Sequence, residues 1–265
     1  RAAERRGCER AEILVFGGVT ELSPYDSGSY ASSTAYLTGT AVVKTCEALK
    51  EKILHKAAKY LETGVEELEF DGKRVYKLAC GEDGTKKEIS IKDLANRVQC
   101  ANEDALQVTQ SHSSPISPPP FMAGAAEVEV DLETGQVELI KFAAAVDCGT
   151  PLNENLARVQ TEGGLVQGIG MALYEDVSYS KDGKVHENSF MQYKVPSRLD
   201  VGRVQVEFES SFEPTGPFGA KSIGEVVINT PSPAIANAVY NAVGVRIREL
   251  PITAEKVFKG MNGLD

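Results

Sequence analysis

From Thr34 to about Leu61, apolar residues recur at helical spacing (Leu37, Ala41, Val42, Leu49, Ile53, Leu54), which predicts one long amphipathic helix. Residues 91–100, "IKDLANRVQC", repeat that pattern over a shorter span. Between them, Asp71-Gly72 separates two short strand candidates, "VEELEF" and "RVYKLA". Alternation with period two is clearest in "AAEVEVDLETGQVELIKFAAAV". There Val128 and Val130 alternate with Glu127, Glu129 and Asp131, and a turn at Glu133 to Gly135 leads back through Val137 and Leu139, a hairpin. "VGRVQVEFESS" alternates as a further strand, and Asp182-Gly183 marks a second hairpin turn. "NLARVQTEGGLVQGIGMALYED" reads as a helix with glycines on one side. "PSPAIANAVYNAVG" has proline in its first turn and Gly244 as a stop. Near the start, "ERAEILVFGG" predicts a charged helix end running into a buried strand around Ile13 to Phe16, followed by the Gly/Ser/Pro-rich loop "VTELSPYDSGSYASST".

Strands and helices are interspersed without a repeated βαβ period, which favours an α+β fold with mixed sheets. "SHSSPISPPPF" is a polar, proline-rich connector and divides the chain into subregions 1–110 and 111–265. A plain extended connector is the favoured reading there over a polyproline ligand for another protein.

Composition narrows the function. The 265 residues are enough for a substantial core, and the formal net charge of −10 argues against a nucleic-acid partner, since phosphate binding needs a basic face. No apolar run approaches the roughly 20 residues of a membrane helix, and no signal-peptide pattern is present, so the expected home is the cytoplasm. Cys8, Cys46, Cys80, Cys100 and Cys148 are odd in number and scattered, which fits a reducing compartment rather than a disulfide framework. None pairs at C-x-x-C spacing, and His55, His112 and His186 are equally dispersed, so no zinc or iron–sulfur site is expected from this chain's side chains.

Two glycine-rich stretches, "GGLVQGIG" and "GPFGAKS", lack the spacing of a dinucleotide fingerprint or a phosphate loop. The second continues into "GPFGAKSIGEVVINTPSPAIANAV", where Glu225 stands between Gly224 and the apolar Val226-Val227-Ile228. On spacing alone, Glu225 reads as a turn or cap carboxylate, Gln160 as a solvent-facing amide and "SGSYASST" as a loop.

Taken in order, however, "AAERRGCERAEILVFGGVTELSPYDSGSYASSTAYLTGTAVV", "SPPPFMAGAAEVEVDLETGQVE", "AAVDCGTPLNENLARVQTEGGLVQGIGMAL", "FMQYKVPSRLD", "GPFGAKSIGE" and "PAIANAVYNAVG" run nearly the whole chain. Together they resemble the C-terminal half of the molybdopterin-binding subunit of the xanthine dehydrogenase/aldehyde oxidase family of molybdenum hydroxylases. The resemblance implies that family's molybdenum cofactor-binding fold. It further implies oxidative hydroxylation of a heteroaromatic or aldehyde carbon with water as oxygen source. Glu225, in a motif similar to G-A-K-G-x-G-E, is then the general base beside the molybdenum, its basicity raised by dry neighbours such as Ile223, Val226 and Val227. Ala31, Ser32 and Thr34 would hold the phosphate-bearing part of the pterin, Gln160 would hydrogen-bond the cofactor, and Gly224 would let the backbone pass close to the metal. The metal is expected to be held by the pterin dithiolene and by no side chain.

Expected partners are the N-terminal half of the molybdenum subunit, on the same or a separate chain, and a small-molecule substrate. Iron–sulfur and flavin subunits would carry 2Fe-2S clusters and FAD. The cytosine dinucleotide form of the pterin stays open. So do a reductase or carbon monoxide dehydrogenase chemistry and a non-catalytic assembly role. Two departures stand out: the family's upstream G-G-x-F-G-G and G-Q-G motifs are absent, and Ser222 stands where glycine is usual. With half of the pocket's motifs elsewhere, the 265-residue chain is expected to be inactive by itself.

Overall fold

The computed structural model describes residues 9–21, 23–79 and 86–264; Cys8 and Cys80 lie outside them. The chain divides into two units, one of Arg1–Ser29 with Thr34–Ile116, the other of Tyr30–Ser33 with Ser117–Asp265.

In the first unit, helix α1 spans Thr34–Leu61. Three short strands, β1 (Leu68–Phe70), β2 (Arg74–Lys77) and β3 (Glu88–Ser90), form an antiparallel sheet in that order. The β1–β2 turn closes because Asp71 Oδ1 accepts from the backbone N–H of Lys73 at 2.8 Å and of Arg74 at 2.7 Å, while Gly72 adopts a φ of 99° that a side chain would resist. Helix α2 (Ile91–Cys100) starts where Ser90 Oγ accepts from Asp93 N at 3.0 Å, an N-cap that satisfies a donor the helix leaves free. One face of α1 (Ile53, Ala57, Leu61) packs with Phe70, Val75, Ile89 and Leu94 into a buried cluster. The loop after α2 returns to α1 through Glu103, which accepts from Lys56 Nζ at 2.7 Å, Lys59 Nζ at 2.5 Å and Tyr60 Oη at 3.0 Å.

The buried strand expected at Ile13 to Phe16 does not form. Leu14 and Phe16 are 83% and 67% exposed, and the segment follows a single 3-10 turn, Arg10–Glu12. An apolar run becomes a strand only against a sheet edge, and no strand among the described residues pairs with it.

The second unit is built on β4 (Phe121–Val130), β5 (Val137–Asp147) and β6 (Arg203–Phe208). The first two form the antiparallel hairpin, with a bulge between Glu127 and Val128, whereas β6 lies parallel to β5. A parallel neighbour requires a crossover, and helix α3 (Glu154–Leu173) supplies it. Helices α4 (Pro231–Val243) and α5 (Ala254–Asn262) complete the unit. Phe142, Leu139, Leu165, Ile169, Ile235 and Val257 lie at the centre of its core. Gly244, at φ 72°, ends α4 in the left-handed conformation. The hairpin expected at Asp182-Gly183 is reduced to one bridge, Tyr179 to Val185. Helices beside small antiparallel and mixed sheets make this an α+β protein.

Candidate active site

The segment 216–228 begins with Pro217–Gly219, a 3-10 turn in which Phe218 and Gly219 have φ of 56° and 83°. It ends with a second 3-10 turn, Val226–Ile228, that Glu225 precedes. That second turn lies against α3 at two glycines. A Cβ on Gly164 would stand 2.2 Å from Val227 Cγ2, and one on Gly168 would stand 3.0 Å from Ile228 O. The glycine-rich face of α3 therefore lets the turn carrying Glu225 approach the helix backbone.

Glu225 has partners from two distant parts of the sequence. Ser32 Oγ donates to Glu225 Oε2 at 3.0 Å, and Gln160 Nε2 donates to the carbonyl of Gly224 at 3.3 Å. Gly224 is needed at this approach, since a Cβ there would stand 2.7 Å from Ser32 Oγ. Ala31 and Ser32 hold φ of 48° and 54°, a left-handed conformation that costs about 1–2 kcal/mol per non-glycine residue. Backbone strain of this kind concentrates at functional sites. A cavity of about 500 Å³ opens beside these groups, lined by Val159, Gln160, Gly163, Gln167, Gly224 and Glu225 among others.

The structure thus brings Ser32, Gln160, Gly224 and Glu225 together within the second unit. Ala31 adjoins Ser32 in the strained turn, and Thr34 belongs to the first unit, where it opens α1. The dry niche expected around Glu225 is not formed by its apolar neighbours. The carboxylate is exposed, Ile223 and Val226 are half-buried, and only Val227 is fully buried. In a tight 3-10 turn successive side chains diverge, and Val227 covers Gly164 instead of the glutamate.

Lys221, four residues before Glu225, is engaged elsewhere. Its Nζ sits 2.7 Å from Asp147 Oδ2, with the two side chains only 10% and 19% exposed. Ser211 Oγ and the N–H of Gly149 donate to Asp147 Oδ1 at 2.6 Å and 2.9 Å. Burial alone would raise the Asp147 pKa, but the hydrogen bonds from Lys221, Ser211 and Gly149 outweigh it and hold the carboxyl below its usual range. Sequence reading missed Asp147, Gly164 and Gln167. Asp147 ends an alternating strand, where an aspartate normally reads as a turn residue. Among the described residues no group of three or more His, Cys, Asp or Glu side chains is arranged to hold a metal.

The cavity is lined by Gly163, Gly164 and Gly224, the amides of Gln160 and Gln167 and the Glu225 carboxylate, beside Val159 and Ile228, on an α+β scaffold. The chain belongs to the molybdopterin cofactor-binding domain family, which it matches over residues 1–202. It is 34% identical over 262 residues to the probable hypoxanthine oxidase XdhD of Escherichia coli, covering 98% of this chain and 27% of that protein. It is 32% identical to the gamma subunit of the 6-hydroxypseudooxynicotine dehydrogenase complex of Paenarthrobacter nicotinovorans, covering 93% of this chain and 32% of the subunit. Among solved structures it is similar to the reconstituted CO dehydrogenase from Oligotropha carboxidovorans, with a TM-score of 0.85, 27% identity and coverage of 99% of this chain and 33% of that one. The chain therefore spans about a third or less of the length of these proteins.

Proposed function

We propose that this chain is the C-terminal portion of the molybdopterin-binding subunit of a molybdenum hydroxylase, acting on a heteroaromatic or aldehyde carbon with water as oxygen source. One observation carries the reading: Glu225, Gly224 and Gln160 line one cavity, and Ser32 of the strained turn bonds the Glu225 carboxylate. The residues present fit the cofactor. A Cβ on Gly163 would meet nothing within 4 Å, so the wall there is open to a flat group, and Gln160 can offer its amide oxygen as well as its N–H. None of the cavity's lining residues is basic, so the phosphate-bearing part is assigned to the turn at Ala31-Ser32 rather than to this cavity.

Bound here, the molybdenum centre would supply a two-electron oxidant and the site at which oxygen from water is activated. Glu225, whose carboxylate lines the cavity, would be the group that accepts a proton beside that centre. Ser32, donating to Oε2, fixes the carboxylate's orientation and leaves Oε1 for the proton. Gln160, bonded to the Gly224 carbonyl, holds the backbone on which Glu225 sits. Water would be excluded from the exposed carboxylate by the cofactor, the substrate and the rest of the subunit. Iron–sulfur and flavin partners would take the electrons onward, the cytosine dinucleotide is a candidate form of the pterin, and the cytoplasm is the expected location. The likeness to CO dehydrogenase favours carbon monoxide as the second substrate reading. The test is turnover by the assembled enzyme carrying Glu225→Gln. Loss of hydroxylation with molybdenum retained supports the base, and a parental rate rejects it. An assembly module without chemistry would show no molybdenum-dependent turnover to lose.

A further inference from the structure

The proposed base is borne by a segment that is anchored before it as well as after it. After it, Val227 is seated against Gly164. Before it, the backbone is stapled to the end of β5. Gly149 and Ala220 form an antiparallel bridge, Lys221 N donates to Cys148 O at 2.8 Å, and Thr150 N donates to Gly219 O at 2.7 Å. Gly149, at φ 68°, is tight against this staple, since a Cβ there would stand 2.3 Å from Gly219 O. The largely buried Lys221–Asp147 pair locks the same place with side chains, reinforced by Ser211 and by Phe121, whose ring centroid lies 5.3 Å from Lys221 Nζ. Only Ser222, Ile223 and Gly224 separate this lock from Glu225, and Ser222 is itself 6% exposed.

We infer that the buried Lys221–Asp147 ion pair is a positioning device for Glu225, fixing where the carboxylate stands in the cavity without touching substrate or cofactor. The inference rests on the assignment of Glu225 as base. A buried pair is a poor source of net stability compared with an apolar pair of the same volume, so its value at this place lies in geometry. Catalytic groups tolerate little displacement, about 1 Å costing on the order of 100-fold in rate.

The test uses the assembled, molybdenum-loaded enzyme, with kcat expressed per bound molybdenum beside KM, molybdenum content and Tm. Lys221→Met is expected to lower kcat by about 10- to 100-fold with KM changed less than about threefold and molybdenum retained. Placed on Glu225→Gln, the same change should cost no more than about twofold further, because a residue acting through Glu225 has nothing left to position. Where Lys221→Met alone does not fold, the paired replacement Lys221→Gln with Asp147→Asn keeps a neutral hydrogen bond there. It should return kcat to within about threefold of the parent. The inference is overturned if Lys221→Met lowers Tm but leaves kcat per molybdenum unchanged, if its effect multiplies with that of Glu225→Gln, or if the neutral pair folds and stays slow. Should Glu225→Gln itself keep the parental rate, the base assignment falls and takes this inference with it. Should only the lysine variants prove silent, the base stands and the positioning role does not.

Discussion

Gly164→Ala is a single-methyl test of how the Glu225 turn is seated. The added Cβ would lie 2.2 Å from Val227 Cγ2 and 3.0 Å from Val227 Cβ, whereas carbon atoms pack at about 3.5–4.0 Å. Relief therefore needs a movement of more than about 1 Å, and Val227, fully buried, has no free side to move into. Overpacking of this kind costs about 1–3 kcal/mol, while alanine in a helix interior recovers up to about 1 kcal/mol relative to glycine. The expected balance is a net loss of about 0–2 kcal/mol, or a few degrees in Tm for a unit of this size. Urea denaturation of the parent, Gly164→Ala, Val227→Ala and the double variant would measure it. Removing the Val227 methyls makes room for the new Cβ, so the double variant should be more stable than the sum of the singles by about 1–2 kcal/mol. Strict additivity, or a Gly164→Ala protein more stable than its parent by the full helix-propensity gain, would show that the turn does not rest on this glycine.

Two further outcomes follow from the scaffold. Glu103 is held at a pKa of about 2, against an ordinary 4.5, by hydrogen bonds from Lys56, Lys59 and Tyr60. A depressed carboxylate contributes stability that is present above its unfolded pKa and lost as pH falls through the folded one. Glu103→Gln should therefore flatten the fall in urea midpoint between about pH 5 and pH 2, and an unchanged acid limb would contradict it. Asn153 Oδ1 accepts from Leu156 N at 3.1 Å at the start of α3, so Asn153→Ala should cost about 1 kcal/mol by the same assay, and no loss would mean the cap is idle.

The elements that the pattern made legible are those whose periodicity is carried by their own residues. The long α1, the "IKDLANRVQC" helix and the β4–β5 hairpin each bury a regular face or turn at glycine. Ile13 to Phe16 misled because four apolar residues in a row have no period, and only a neighbouring edge decides their state. Helix α5 carries start and stop signals of its own, Thr253 as N-cap and Gly263 in the left-handed conformation beyond its end, and it went unread. The site was not legible by spacing at all. Ser32 and Glu225 are 193 positions apart, and Gln160 and Gly224 are 64 apart, so tertiary packing alone assembles them. Family resemblance named those residues as candidates, but it did not indicate that Lys221 is consumed by Asp147, nor that Val227 turns to α3 and leaves the carboxylate exposed among the described residues.

The most direct measurement is single-turnover reduction of the molybdenum-loaded Glu225→Gln enzyme, followed beside the parent at equal metal content. Glutamine keeps the shape and a hydrogen-bond acceptor for Ser32 but cannot take a proton. The chemical step should be slower by about two to four orders of magnitude with substrate affinity nearly unchanged. A variant reduced as fast as the parent would contradict the assignment of Glu225 as the base.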